Sequence, residues 1–519
     1  MSRVPIHLLL LIGCSADYEL GKATDKASSD TGGSFEADAD TDADTDADAD
    51  SDDTAPPEDE DDFLSLAPSA TDAYVFVANP TRNTVTRISV PSLAVLTTEV
   101  GEGPSVIATT ADYSRAVTLN ESDDSVSIIE ADTLEVRNVD IRPNFNRLAL
   151  SDDAGWVMAW YDPDLDESAG TDDGGVQSFN EVSFVRLDTG AHTPLAVGFN
   201  PRGVRWSADG TLALVISDAS LAIIDLTADS LSPVLVEIAD DPVDAPEAEE
   251  VELSPDGAYA YVRQFGSSDL VIVDITTLAV DRLPIGANPT DLDLSPDGSQ
   301  LAVVARGSRE LWLLDAADPF AAATVVPFDS PYGSLLYTGD GTQAILYTNA
   351  ALLASFGVWD TTDGTVTERS LVKPVQSIGA SPTGGSLLVF HTEQDADDAD
   401  PDSPFAGEWA LTLMDLGDFR QNPMLLPDEP SSYSTSDDGL YGYFVMEGNK
   451  WLEVLDFQTL LYEEITLKSP PVHLGVLPGS QTAWVSQDHD LGRLSFYDPD
   501  ASTLDTITGF ELNSEIDHD

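Results

Sequence analysis

A motif of about 43 residues recurs along most of this chain, and the repeat restricts the fold more than any other feature does. Each copy opens with a short alternating segment and a turn, as in Leu294-Ser295-Pro296-Asp297-Gly298. Segments rich in β-forming residues follow, and no segment has convincing helical periodicity. The spacing predicts a fold assembled from similar units, each of which buries its apolar surface against its neighbours.

Four antiparallel strands fit into each repeat, which predicts an all-β fold whose units are the blades of a β-propeller. We expect one ring of ten blades, because no linker-like stretch divides the repeats into halves. Propellers typically have about four to eight blades, so two smaller rings or a miscount remain open at this point. The ten predicted opening strands lie near Leu64, Ile107, Leu148, Val204, Val251, Leu292, Leu335, Ile378, Tyr433 and Leu474.

An aspartate recurs at the end of the third predicted strand of most repeats. Because Thr, Ala or Pro often follows it, we interpret it as a turn-forming side chain that binds its own backbone rather than as a catalytic group. The aspartates concerned are Asp188, Asp225, Asp274, Asp315, Asp360, Asp415, Asp456 and Asp498.

Four segments share one pattern: YVFVAN at 74–79, NTVTRI at 83–88, SDDSVSII at 122–129 and SDLVIVD at 268–274. The repeats that contain them resemble the YVTN family of β-propellers, which is related in fold to lactonase-like and WD40 propellers. The resemblance covers the chain from about residue 63 to the C-terminus, and repeats seven to ten depart from the motif. It implies the propeller fold and a binding role, but it implies no reaction.

The N-terminus has the pattern of an export signal, with a basic start and a short apolar segment that extends to Gly13. Leu11-Ile12-Gly13-Cys14 resembles the lipobox of bacterial lipoproteins, which implies lipidation of Cys14 after removal of residues 1–13. An ordinary signal peptide or a buried free thiol is the alternative. Ser15 follows the cysteine where inner-membrane lipoproteins carry Asp, so the resemblance implies the bacterial cell envelope and its outer membrane.

Residues 14–62 form a predicted disordered, acidic linker ahead of a propeller domain at 63–519. Fifteen acidic and no basic residues lie between Glu36 and Asp62. Such a segment has too little apolar surface to bury, and its self-repulsion extends it. We therefore expect a spacer that holds the propeller away from the membrane.

The charge of the whole chain excludes one class of partner and favours another. The sequence has 94 Asp and Glu against 22 Lys and Arg, a formal net charge of −72. A nucleic-acid partner is excluded, because binding a phosphate backbone requires a basic surface. Abundant Asp with scarce Lys also keeps a folded domain soluble at high salt, so we expect a saline or calcium-rich habitat.

Three acidic insertions interrupt the repeats, at 162–175, 240–250 and 393–407. Strand order predicts that all three lie on one face of the propeller, where they would form an anionic rim for divalent cations or a basic protein. Carboxylate oxygens suit Ca²⁺ best, although solvated acidic decoration is the open alternative. The candidate metal ligands are Asp162, Asp164, Asp166, Asp395, Asp397 and Asp398.

A catalytic role has weaker support in the sequence. The residues that precede the opening strands should face the mouth of the central channel, and four of them carry acid, base or anion-binding groups. We therefore expect a binding or scaffolding module, and the alternative is a lactonase-like hydrolase that uses the channel mouth. The candidate catalytic residues of that alternative are Glu250, Asp291, His473 and Arg147.

Overall fold

The computed structural model describes residues 18–19, 67–163, 179–239, 248–264, 266–382, 385–396, 399–446, 448–489, 492–509 and 517–518. Within these ranges all regular elements are β-strands. They form ten antiparallel sheets of four consecutive strands each, arranged in a ring. The chain is therefore a ten-bladed β-propeller, as the repeats predicted, and the expectation of one ring is confirmed.

We number the blades 1 to 10 and name their strands a to d in chain order. Strands a are Ser69–Ala70, Pro104–Thr109, Arg147–Leu150, Pro201–Trp206, Ala248–Leu253, Pro289–Leu294, Ser334–Tyr337, Val375–Ala380, Pro430–Thr435 and Pro471–Val476. Strands b are Tyr74–Asn79, Arg115–Asn120, Trp156–Trp160, Leu212–Ser217, Tyr259–Gln264, Gln300–Ala305, Gln343–Tyr347, Ser386–His391, Tyr441–Met446 and Ala483–Gln487.

Strands c are Thr84–Ser89, Ser125–Glu130, Glu181–Arg186, Ser220–Asp225, Asp269–Asp274, Glu310–Asp315, Ser355–Asp360, Ala410–Asp415, Trp451–Asp456 and Arg493–Asp498. Strands d are Val95–Glu99, Val136–Asp140, Ala191–Ala196, Val234–Glu237, Val280–Pro284, Thr324–Pro327, Val366–Ser370, Gln421–Leu425, Leu461–Thr466 and Thr503–Thr508. Two further pairings add Tyr18–Glu19 beside strand a of blade 9 and Asp517–His518 beside strand d of blade 10.

The predicted opening strands agree with strands a along nearly the whole ring. Every predicted position from Ile107 to Leu474 falls within a strand a. Leu64 lies outside the described residues, and strand a of blade 1 is Ser69–Ala70. Strands a of neighbouring blades contact one another, whereas strands d are largely exposed. Strand a therefore lies towards the centre of the ring and strand d at its periphery.

Apolar side chains between adjacent sheets hold the blades together. Strands b and c are buried on both faces, so their sequences are almost continuously apolar. Between blades 3 and 4, for example, Trp160 and Phe184 pack with Val215 and Ile224. Each fully buried side chain of this size contributes roughly 1.5–3 kcal/mol, so the blade interfaces supply most of the stabilisation.

The ring closes by the same kind of packing. Ala70, Val75 and Ile88 of blade 1 share a buried cluster with apolar residues of blade 10, among them Trp484 and Phe496. Within the described residues, each blade takes its strands a to d from one continuous stretch of chain. Contact between the first and last blades, rather than exchange of one of these strands, therefore closes the circle.

The recurrent aspartates form turns, as their sequence context predicted. The Asp274 carboxylate accepts the N–H groups of Thr276 and Thr277 at 2.9 and 2.8 Å. These hydrogen bonds, above all the one from Thr277, lower the pKa of Asp274. The turn-forming interpretation is confirmed where the carboxylate accepts a following N–H group, at Asp225, Asp274, Asp315, Asp360, Asp415, Asp456 and Asp498.

The strand order assigns every connection to one of two faces. All neighbouring strands within a blade are antiparallel, so the a–b and c–d turns lie at one end of the blade. The b–c connections and the links between blades lie at the other end. We call the face with the b–c connections the upper face and the opposite one the lower face.

Candidate functional site

The described strands that flank the three acidic insertions enter and leave each insertion on the upper face. The insertions of blades 3 and 8 are both b–c connections, and residues 240–247 link blade 4 to blade 5. In a ring of ten, blades 3 and 8 are diametrically opposed. The structure describes all of the blade 8 insertion except residues 397 and 398, but only residues 162–163 of the blade 3 insertion and, of the third, residues 248–250 in strand a of blade 5.

A largely buried ion pair fixes the start of the blade 3 insertion. Arg147 Nε donates to Asp162 Oδ2 at 2.8 Å, with both side chains largely buried. Asn146 holds the same residue through its backbone, because its side-chain oxygen accepts the Asp162 N–H at 2.7 Å and its amide donates to the Asp162 carbonyl at 2.8 Å. Asp162 therefore anchors the insertion to strand a.

A lysine performs the same task in blade 8. The Lys373 side chain is 2 % exposed, and its Nζ donates to Asp395 Oδ1 at 2.7 Å. It also donates to the carbonyl oxygens of Glu393 and Phe405 at 2.8 and 2.9 Å, which ties the two ends of the insertion together. The hydrogen bond from Lys373 lowers the pKa of Asp395.

The candidate metal ligands fall into two groups. Asp164, Asp166, Asp397 and Asp398 lie outside the described residues. Asp162 and Asp395 are described, and each is already paired with a cation of its own blade. The part of the chain that the structure describes contains no cluster of three or more His, Cys, Asp or Glu side chains that would hold a metal ion. The Ca²⁺ site stays a prediction.

Nine residues were expected to face the mouth of the channel, and they occupy one register position near the start of strand a. In seven blades a β-bulge immediately precedes this position. A β-bulge changes the direction in which the following side chain points, so the side chain at this position can point differently from the others in the strand. The nine residues are Val106, Arg147, Gly203, Glu250, Asp291, Ser334, Ser377, Ser432 and His473.

The four candidate catalytic residues lie on four different blades. Arg147, Glu250, Asp291 and His473 belong to blades 3, 5, 6 and 10. Blades 5 and 10 are opposite each other in the ring, so the fold places His473 across the channel from Glu250. Only Glu250 and Asp291 lie on adjacent blades.

Structural contacts already engage three of these candidates. Glu250 accepts a hydrogen bond from Arg263 Nε at 3.0 Å, in a pair that is almost completely buried. Asp291 accepts the N–H groups of Leu292, at 3.0 Å, and of Leu335 on the next blade. Arg147 binds Asp162 as described above. These contacts support neighbouring strands and do not resemble an assembled acid–base pair.

Glu453 is a buried acid that the sequence analysis did not identify. It lies in strand c of blade 9 and is 1 % exposed. Its Oε2 accepts no hydrogen bond from any described residue. Burial, with a smaller contribution from the charge of Glu464, raises the pKa of Glu453 to about 8. Glu453 is therefore largely a neutral acid at pH 7.

His391 is a second buried titratable group, at the end of strand b in blade 8. Its Nε2 lies 2.7 Å from Thr412 Oγ1 and its Nδ1 lies 3.2 Å from the Pro374 carbonyl oxygen. Burial lowers the pKa of His391 to about 4. The residue therefore supports the base of the blade 8 insertion as a neutral imidazole, next to Lys373.

Three aromatic rings form a stack on the upper face, beside the blade 3 insertion. Tyr161 follows strand b, Phe179 precedes strand c, and Phe199 lies in the link from blade 3 to blade 4. Tyr161 meets Phe179 edge-on with ring centroids 5.4 Å apart. Phe179 and Phe199 are stacked at 5.9 Å. We call Tyr161, Phe179 and Phe199 the aromatic stack.

Comparisons with known proteins support the propeller fold and do not identify a function. No family model matches the sequence, and no curated protein matches it. By structure, a eukaryotic initiation factor matches with a TM-score of 0.53 at 11 % identity, over 76 % of this chain and 96 % of that one. At 11 % identity this likeness shows the fold alone.

Two further solved structures match with lower TM-scores. The dihydro-haem d1 dehydrogenase NirN matches with a TM-score of 0.44 at 14 % identity, over 75 % of this chain and 72 % of that one. A putative 6-phosphogluconolactonase from Bacteroides uniformis matches with a TM-score of 0.35 at 14 % identity, over 55 % of this chain and 92 % of that one.

The described part of our chain contains no helix with the length and hydropathy required to cross a membrane.

Proposed function

We propose that this protein is a binding module whose upper face attracts a basic protein partner or divalent cations. One observation carries the proposal: the two longest acidic insertions belong to opposite blades of one ring, and a buried cation anchors each of them to its blade. Long loops on a rigid scaffold are where binding usually resides. The excess of carboxylates attracts cationic partners before contact.

The alternative, a lactonase-like hydrolase, has less support. A hydrolase needs an acid or base and an anion-binding group within reach of one substrate. Here Glu250 and His473 lie on opposite blades, and Glu250 is bound to Arg263. Turnover of a lactone panel that is abolished in both Glu250→Gln and His473→Ala would favour the hydrolase and contradict the binding proposal.

We also propose that the repeats belong to the YVTN type and that a lipid on Cys14 holds the protein at the bacterial cell envelope, at the outer membrane. The four-residue lipobox match and the acidic spacer after it support this location. Several acyl chains on one residue anchor a protein stably. The test is metabolic labelling with a fatty acid: label and membrane association should both disappear in Cys14→Ala.

Binding to the insertions is tested by neutralising carboxylates without touching their anchors. In one variant Asp164, Asp166, Asp172 and Asp173 become Asn and Glu167 becomes Gln, while Arg147 and Asp162 stay intact. A control variant replaces five aspartates of the 36–62 linker by Asn, so that both variants lose the same charge. We expect the insertion variant to bind a labelled nona-arginine peptide at least several-fold more weakly than the control does.

The cation part of the proposal has its own measurement. Millimolar CaCl₂ should raise the melting temperature of the wild-type protein, and a chelator should reverse the rise. The insertion variant should respond less than the linker control. Equal responses of the two variants would show that Ca²⁺ screens the overall charge and occupies no site on the upper face.

A further inference from the structure

Phe199 is the most exposed of the large apolar side chains in the described part of the chain, with 64 % of its surface accessible. Most of the others lie on the outer strands d, at the periphery of the ring. Phe199 instead lies on the upper face, at the end of the aromatic stack. The exposed ring is thus on the face that also carries the acidic insertions.

The backbone on both sides of Phe199 is fixed by hydrogen bonds. The Asn200 N–H donates to the Phe179 carbonyl at 2.6 Å, and the Asp218 N–H donates to the Phe199 carbonyl at 3.2 Å. The Phe199 ring also rests on Phe179, which in turn packs against the buried Tyr161. The ring is therefore held in place before any partner arrives, and a pre-positioned group loses little conformational entropy on binding.

The chain as a whole supplies the negative charge around this exposed ring, because its formal net charge is −72. Asp218 lies beside the ring, where Arg202 Nε donates to it at 2.6 Å and the Asn200 amide at 3.1 Å, so its charge is balanced within the fold. The fifteen residues 164–178, which join strand b of blade 3 to Phe179, include five acidic and no basic residues. A cationic group is therefore attracted towards the chain by its surplus of carboxylates, to which the sequence of 164–178 contributes.

We propose that the aromatic stack is the docking point for an arginine side chain of a basic partner protein. The inference rests on the proposed binding function and adds the residue and the side-chain chemistry. The planar guanidinium group stacks on an aromatic face and keeps its N–H groups free for carboxylates, whereas a lysine ammonium is more strongly hydrated and stacks less well. Phe199 supplies the aromatic face, and the net negative charge of the chain supplies the attraction.

The experiment compares three labelled peptides on the full-length protein: nona-arginine, nona-lysine and the neutral nona-citrulline. We expect the arginine peptide to bind most tightly. Phe199→Ala should weaken the arginine peptide about three- to tenfold and the lysine peptide less, which is the size expected for one cation–π contact. Phe199→Trp should restore arginine binding, because Trp offers the best aromatic face for a cation.

Phe320 provides the matched control. It is also a largely exposed phenylalanine, 54 % accessible, but it lies in the c–d turn of blade 6 on the lower face. Phe320→Ala should leave all three affinities unchanged. The melting temperatures of both alanine variants are measured first, so that a loss of binding in Phe199→Ala is not a loss of folding.

The possible outcomes separate the inference from the function beneath it. If the wild-type protein binds none of the cationic peptides, the proposed function fails. If it binds them and Phe199→Ala binds arginine equally well, the function stands and the docking point is overturned. Tight binding of the citrulline peptide would also overturn it, because a neutral ligand would then explain the exposed ring.

Discussion

Glu453 lies directly opposite Glu464 across strands c and d of blade 9, yet only Glu453 is buried. In the folded protein Glu453 therefore keeps its proton until about pH 8, whereas in the unfolded chain it loses it near the ordinary value of 4.5. Between these two values the folded state binds the extra proton. The contribution of Glu453 to stability is therefore fully present below pH 4.5 and is lost as the pH rises to about 8.

Glu453→Gln should remove the loss of stability that ionisation of Glu453 causes as the pH rises. We expect the variant to exceed the wild type in stability by on the order of 3–5 kcal/mol at pH 9 and by little at pH 4.5. Melting temperatures from pH 4.5 to 9 measure the difference. Glu464→Gln, at the exposed neighbour, is the control and should shift the curve only slightly. Parallel curves for wild type and Glu453→Gln would contradict the assignment.

His391 should have the opposite effect on the acid side. Its pKa is about 4 in the fold and 6.5 in the unfolded chain, so between these values the unfolded state binds the extra proton. Stability is therefore lost as the pH falls from about 6.5 to 4. His391→Gln should melt with a flatter pH dependence in this window, even though it loses stability at pH 7 with the hydrogen bonds to Thr412 and Pro374.

Between about pH 4.5 and 6.5, Glu453 lowers the stability as the pH rises and His391 increases it. The melting temperature of the wild type plotted against pH therefore does not reveal either contribution by itself. The double variant Glu453→Gln, His391→Gln separates their contributions. The residues lie in the neighbouring blades 8 and 9, but neither group contributes to the pKa shift of the other, so their effects should add. A pH dependence in His391→Gln as steep as that of the wild type below pH 6.5 would show that other groups cause the acid destabilisation.

Lys373→Met should free the blade 8 insertion. The substitution removes three hydrogen bonds and leaves the Asp395 carboxylate without its cation. Asp395 is 32 % exposed and can be rehydrated, so we expect a cost of roughly 2–3 kcal/mol rather than the larger penalty of a sealed pair. Calorimetry measures the loss, and limited proteolysis within 393–407 should become faster.

Lys450→Met is the matched control, because Lys450 is exposed and the chemical change is the same. It should leave the stability and the cleavage rate of residues 393–407 almost unchanged. Equal cleavage in both variants would mean that Lys373 does not hold the insertion.

The turns between strands c and d test backbone strain. Gly364 has a φ of 74°, and Leu278 occupies the same turn position in blade 5 with a φ of 61°. A Cβ added at Gly364 would meet no atom within 4 Å, so Gly364→Ala isolates the conformational cost. We expect a destabilisation of about 1 kcal/mol, since residues other than glycine rarely adopt this region.

Gly385→Ala is the comparison. An added Cβ there also meets nothing within 4 Å, and its φ is not in the left-handed region. It should be neutral or stabilise slightly by restricting the unfolded chain. Equal melting temperatures for the two alanine variants would contradict the strain at residue 364.

The sequence predicted the blades well because each repeat carries its own local signals. The turn at 294–298 and the aspartate at 315 mark strand ends independently of the rest of the chain, and the position of Glu250 and Asp291 in strand a followed from aligning the repeats. The burial of Glu453 could not be predicted. Strand c is covered on both faces, so alternation does not distinguish a buried position from an exposed one.

The contacts of the candidate residues could not be predicted from the sequence either. Arg147 and Asp162 pair across a hairpin, and Glu250 pairs with Arg263 on the neighbouring strand. Composition provides charged residues at these positions but does not indicate whether they pair with each other or with a ligand. The sequence also did not mark Phe199 as a candidate, because a single phenylalanine in a link between blades is common. Only the structure shows that its ring packs on Phe179, which contacts Tyr161.

Salt should stabilise this protein over a wide range. Most of its 94 acidic side chains have no cation to pair with, because the chain contains only 22 Lys and Arg. In the fold their charges repel one another more strongly than in the expanded chain. Added salt screens this repulsion, and at 0.1 M the Debye length, beyond which exposed charges hardly interact, is about 10 Å. We expect the melting temperature to rise steadily from 10 mM to 1 M NaCl. Choline chloride should act similarly if screening alone is responsible, and an unchanged melting temperature would show that the folded state tolerates its charge without counter-ions.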